Sequence, residues 1–145
     1  MISWFNFPSK LGGQKNDKDC LQCCLQLILD IPYINIPKFY NFQNPNDEYQ
    51  KWLKEKGYML ICIDALKNEN NQIVFPTILN DFKFMYIGVL KKDYNEFSHA
   101  VVIEQLENEL RIYDPLPPNY SYYNFDDFKS FELIIDTKPD KSPHL

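Results

Sequence analysis

A chain of 145 residues with 45% hydrophobic and 16% aromatic side chains holds enough apolar material for one packed domain, and this is not the composition of a disordered polymer. Its net charge of −5, with no basic run to track phosphates, speaks against nucleic acid as a partner. No apolar stretch approaches the roughly 20 residues that span a bilayer, and Met1–Pro8 lacks the cationic end and apolar core of a signal peptide, so no membrane association is expected.

Residues 1–18 read as an irregular lead-in, with Gly12-Gly13 bending the chain just before Gln14. From Asp19 to Asp30 the apolar positions Leu21, Cys24, Leu25, Ile28 and Leu29 fall at helical spacing, with Asp17 or Asp19 available as N-cap and Pro32 as the stop. Three of the four cysteines (Cys20, Cys23, Cys24) crowd onto this helix, with Cys62 far away. A secreted disulfide framework spreads its cysteines, so free thiols in a reducing cytoplasm are the expectation. Ile31–Phe39, with two prolines, reads as an extended or tightly turned connection. A second helix is predicted over Pro45–Lys56, started by proline, with Asp47 and Glu48 at its positive end and Gly57 behind it; Tyr49, Trp52 and Leu53 make its apolar face.

Tyr58–Leu66 and Phe82–Leu90 read as strands, the first enclosing a Cys62 expected to be packed. The segment 67–81 is ambiguous, since Val74-Phe75-Pro76 does not suit a central strand. Ala100–Gln105 and Leu110–Tyr113 make a hairpin, Phe131–Ile135 is a last strand, and the tail 136–145 is expected to fray. Helices first and an antiparallel sheet second is the α+β pattern.

Only two histidines occur, His99 and His144, the latter in the tail. If Glu107-Asn108 lies at the hairpin tip, the returning strand brings Asp114 back beside His99, as a base and its orienting carboxylate require. Asp114-Pro115 reads equally well as a turn starter, and both roles can hold together. Cys20 opens a helix, where unpaired N–H groups and the macrodipole favour a thiolate, whereas the Asp19 carboxylate opposes one unless it faces away. Alone, a free cysteine is most often simply buried; a distant histidine and aspartate raise its interest. Gln14 can donate its amide to an oxyanion. Cys20 and Cys23 also form a Cys-x-x-Cys, but a redox pair lacks its βαβ context here, and a zinc site would have to borrow His99 and Asp114. The tyrosine-rich stretch from Tyr113 to Tyr123 can wall a groove or merely cover a small core.

Gln14-x5-Cys20, Asp19-Cys20 opening an apolar helix, His99-Ala-Val-Val, and Ile112-Tyr113-Asp114-Pro115 together resemble the papain-like cysteine peptidases that process bacteriocin precursors at double-glycine leaders. The stretch 19–39 is similar to small stand-alone bacterial and phage relatives of that type, and the likeness runs from Gln14 to about Pro118. The resemblance implies a papain-like fold in which Cys20 is the nucleophile, His99 the general base and acid, Asp114 its orienter and Gln14 the oxyanion donor. It departs from the family at Leu21, where many members have glycine, and these 145 residues contain no nucleotide-binding partner domain. Leader processing is therefore less expected than thiol chemistry itself.

The expectation is a single-domain cysteine hydrolase, a peptidase or amidase acting on a peptide or amide substrate through an acyl-thioester, without cofactor or metal. The alternative is a non-catalytic binding module on the same fold, such as a phage- or virus-type protein capturing a host protein or small ligand. An acyltransferase would share the nucleophile.

Overall fold

The computed structural model describes residues 2–16, 18–76, 84–91, 98–116 and 127–138. In chain order they form β1 (Ile2–Asn6), α1 (Cys20–Leu29), α2 (Pro45–Glu55), β2 (Tyr58–Asp64), β3 (Leu66–Lys67), β4 (Ile73–Val74), β5 (Phe84–Leu90), β6 (His99–Leu106), β7 (Glu109–Asp114) and β8 (Phe128–Asp136). Six strands make one sheet in the order β1-β7-β6-β5-β8-β2, antiparallel throughout except for the parallel β1–β7 pair. α1 packs on β6, so the architecture is α+β, with a helix on a mostly antiparallel sheet.

The near-continuous apolar runs of β5 and β6 follow from burial on both faces. Ile87, Val89, Ala100 and Val102 join Cys23, Cys24 and Leu25 of α1 and Leu53 of α2 in one core. On the opposite face Tyr86, Leu90, Val101, Ile103, Ile112, Phe128 and Phe131 form a second core. Period-two alternation sends successive residues to opposite faces, and here both faces are dry.

Several expectations change. The N-terminal lead-in contains an edge strand: Ile2 and Trp4 pack against the second core, and Phe5 stacks on Tyr113 at 5.7 Å between ring centroids. Five residues are too short a run to show their period, and the partner strand β7 lies a hundred residues away. The ambiguous 67–81 segment supplies β4, which pairs with β3 in a two-stranded ribbon outside the main sheet; residues 77–83 lie outside the described residues. The tail does not fray at once. β8 runs beside the start of β2, and Thr137 donates through N and Oγ1 to the Gly57 carbonyl at 2.9 and 2.8 Å. Cys62 is exposed rather than packed, because β2 is an edge strand with Met59, Ile61 and Ile63 also showing to solvent. Residues 117–126, with most of the tyrosine-rich stretch, and 139–145, with His144, lie outside the described residues, as does Asp17. No single helix among the described residues is long and apolar enough to cross a membrane.

Candidate active site

The β6–β7 hairpin turns at Glu107-Asn108, and its register fixes what stands at the open end. Val102 pairs with Tyr113 and Ile103 with Ile112, which puts Asp114 across from Val101 and diagonal to His99 on the same side of the ladder. The two side chains meet there: His99 Nε2–H donates to Asp114 Oδ1 at 2.7 Å, with both residues buried. The same carboxylate oxygen accepts the Leu116 N–H at 2.9 Å, so Asp114 closes the turn and holds the ring.

α1 begins at Cys20 and runs over β6, bringing the thiol to the strand end. The Cys20 sulfur accepts from the Ala100 N–H at 3.4 Å and lies 4.0 Å from the Ser98 carbonyl, against the two peptide groups that flank His99. Burial alone would push the His99 pKa down. Hydrogen bonding to Asp114 and to Cys20, with the charge of Asp114, outweighs it and carries the value above that of an ordinary imidazole. Since Asp114 occupies Nε2, the ring offers Nδ1 for exchange with the thiol.

Asp19 faces away from Cys20. It stands at the N-cap position but its side chain caps no backbone N–H of the helix, contrary to expectation; the Cys23 thiol donates to it at 3.9 Å. Its carboxylate accepts instead from the N–H groups of Lys15 (2.9 Å) and Asn16 (3.3 Å) and from the Tyr33 hydroxyl (2.6 Å), tying the loop before α1 to the turn after it. Replacing Asp19 by alanine should therefore cost stability, roughly 3 kcal/mol, because four donors, the Cys23 thiol among them, lose one buried acceptor. Urea denaturation reads this directly; a change below about 0.5 kcal/mol would refute the role.

Gln14 arrives by its backbone. Its N–H donates to the Pro115 carbonyl at 2.7 Å, next to Asp114. Gly13 makes the approach possible: it sits at φ +69°, and a Cβ there would fall 2.7 Å from the Pro115 oxygen. The Gln14 side-chain amide donates to the Asn16 carbonyl at 2.9 Å. The structure thus brings Cys20, His99 and Asp114 together and leaves the Gln14 amide turned to its own loop.

A cavity of about 250 Å³ opens beside Cys20 and His99 between α1, the 37–46 connection and the sheet face, with Ile87, Val89 and Phe39 among its walls. Two of its polar residues escape a reading for catalytic motifs. Gln22 on α1 and Glu132 on β8 both line it. Their signal was local: each interrupts an otherwise apolar run, Gln22 within Cys20–Leu25 and Glu132 within Phe131–Ile135.

The other thiols differ in kind. Burial, then the charge of Asp19, pushes Cys23 up to about 12, and burial pushes Cys24 well up. Cys62 is also raised, by burial and then by Glu132 and Asp64. Among the described residues no group of three or more His, Cys, Asp and Glu converges to hold a metal ion. No family model, curated protein or solved structure matches this chain.

Proposed function

We propose that this protein is a papain-like cysteine hydrolase, a peptidase or amidase working through an acyl-thioester on Cys20. The observation that carries the reading is the buried 2.7 Å bond from His99 to Asp114 at the strand end where the Cys20 sulfur rests. A charged carboxylate fixing one ring nitrogen beside a thiol at a helix start, next to a cavity, is what thiol-mediated acyl transfer needs.

In this reading His99 Nδ1 takes the proton as the Cys20 sulfur attacks the substrate carbonyl carbon. The tetrahedral oxyanion collects N–H donors at the start of α1, joined by the Gln14 amide once it rotates away from the Asn16 carbonyl. Collapse breaks the C–N bond, and the imidazolium gives its proton to the departing amine. Water then attacks the thioester, losing a proton to His99, and the C–S bond breaks to release acid and thiol. The likeness of these motifs to bacteriocin-processing peptidases supports the same reading, as does a thiol that forms no disulfide.

Iodoacetamide at neutral pH, followed by intact mass and peptide mapping, tests the nucleophile. Cys62 is the exposed competitor, so the measurement is made in a Cys62→Ser background. Cys20 is expected to take up one equivalent at least tenfold faster than Cys23 or Cys24. Equal, slow labelling of all three would sink the proposal.

A further inference from the structure

The sheet ends on one side at β2, and no described strand pairs with its outer edge. The ladder to β8 shows which backbone groups that edge offers. One step beyond either end of the register, the Thr137 N–H donates to the Gly57 carbonyl and the Ala65 N–H to the Lys129 carbonyl, with no register shift between. Bonding pairs alternate along an antiparallel ladder, so Met59, Ile61 and Ile63 also turn their N–H and C=O groups to β8. Tyr58, Leu60, Cys62 and Asp64 therefore turn theirs outward. Natural proteins blunt such an edge with lysine, proline or a bulge. β2 reads Tyr-Met-Leu-Ile-Cys-Ile-Asp and has none of them. Met59, Ile61 and Ile63 are instead exposed, on the sheet face that carries Leu133 and Phe131 of the second core.

An antiparallel copy of β2 fits this edge in one register over its full length. With a two-fold axis at Ile61, Tyr58 meets Asp64 of the copy, Leu60 meets Cys62, Met59 meets Ile63 and Ile61 meets itself. Outward groups then face outward groups along all seven residues. The next register that keeps them together drops two residues from each strand. Met59, Ile61 and Ile63 of both copies make one apolar row. Charge agrees at the ends. Lys138 Nζ lies 4.2 Å from the Tyr58 ring centroid, and Lys51 and Lys54 of α2 line a groove beside Tyr58 and Leu60, so the Tyr58 end is cationic in spite of Asp136. The Asp64 carboxylate of the copy arrives there. A parallel partner would set like charge against like. Shape agrees too: α2 packs over Tyr58 and Leu60, which are half-buried, and leaves Cys62 and Asp64 on the same face exposed. The two-fold lays each α2 beside the bare half of the other strand.

We propose that β2 is a homodimer interface, at which a second copy of this chain adds its own β2 antiparallel across a two-fold at Ile61, so that the two six-stranded sheets become one. The contact is self-complementary and closed: each edge covers the other and leaves no place for a third copy. The axis stands perpendicular to the sheet, which keeps both α1 helices, and both Cys20 thiols, on one side of it. Cys62 lies diagonal to its copy, about 7–8 Å away, beyond the reach of a disulfide, so the dimer is non-covalent. Nothing in the assignment depends on the thiol chemistry.

Two measurements on the full chain test it. Sedimentation equilibrium under reducing conditions is expected to show a dimer at about 100 µM protein. Ile61→Lys, a charge at an exposed position, should keep the circular dichroism spectrum and weaken the dimer at least about tenfold. A wild-type monomer at that concentration overturns the proposal without any variant, and leaves the edge to a foreign strand. A dimer unmoved by Ile61→Lys assigns the contact to another surface and overturns it as well. The second measurement reads the register. In a Cys62→Ser background, Ile61→Cys places two thiols directly opposite at a non-hydrogen-bonded pair, about 4.5 Å apart at Cα, within disulfide range. Mild oxidation should give a covalent dimer at least about tenfold faster than in Met59→Cys or Ile63→Cys, where the copies stand four residues, roughly 13 Å, apart along the strand. Equal rates at the three positions, or faster closure at Met59 or Ile63, sink the two-fold at Ile61.

Discussion

His99→Ala is expected to lower turnover of an activated acyl ester roughly 10²- to 10⁴-fold, the range a positioned general acid–base group contributes. The ring does two jobs in the proposed cycle, taking the thiol proton during attack and delivering one to the leaving group, and no second histidine among the described residues can replace it. His99 is fully buried, so alanine also opens a cavity and strands the Asp114 carboxylate. His99→Gln, which keeps most of the volume and a donor for Asp114, separates the effects. Both variants should lose catalysis, while only alanine loses much stability. A loss below threefold in either variant, measured below its melting transition, would show that the ring takes no part in the chemistry.

The ring also links stability to pH. Folding raises the His99 pKa, so the native protein keeps a proton that the unfolded chain gives up. The stabilisation is complete below the unfolded imidazole value, about 6.5, and is lost as pH climbs through the native value. Glu132 runs in the same direction for the opposite reason: its raised pKa means that the fold prefers the neutral acid, and stability falls as pH rises from the carboxylate range.

How much of this was legible in the sequence depends on how local the cause is. His99 and Asp114 could be paired on paper because one tight turn at Glu107-Asn108 sets the register between them. α1 and α2 declare themselves through period and proline; Cys20 at the first position of α1 follows from the same pattern. The strand β1 does not, because five residues carry no readable period and the parallel partner is remote. Cys62 sits in a run that looks buried, yet exposure depends on β2 ending at the sheet edge, a property of the order of strands and not of any segment. Asp19 shows the limit most clearly. As a string it is a capping residue that would oppose a thiolate, and only the path of the chain through Lys15, Asn16 and Tyr33 reveals that its charge is spent on the loop. Gln22 and Glu132 are polar breaks in apolar runs that a search for catalytic motifs passes over, and nothing in one dimension says that both residues line one cavity.

Asp114 tests whether the carboxylate acts through charge or through shape, and two substitutions tell them apart. Asparagine retains an oxygen that can accept from His99 Nε2–H and from the Leu116 N–H, so the ring keeps its orientation and tautomer while the negative charge disappears. Burial then pushes the imidazole pKa down with less to oppose it, and the acidic limb of the kcat/KM profile, which reports protonation of the base in the free enzyme, moves to lower pH. Turnover at the optimum should fall less than in the alanine variant, because an amide can orient the ring as it does in Cys-His-Asn sites. Alanine removes the acceptor as well: the ring is free to turn, the buried His99 N–H and the part-buried Leu116 N–H lose their partner, and roughly 10³-fold in turnover goes together with about 2–4 kcal/mol of stability. The His99 ring shifts, followed by NMR in a chain with only two histidines, read the pKa without any substrate. A pH profile unmoved in Asp114→Asn would mean that the carboxylate matters here as a turn residue alone, since a group that serves only to close the chain at Leu116 has no reason to alter the proton affinity of its neighbour.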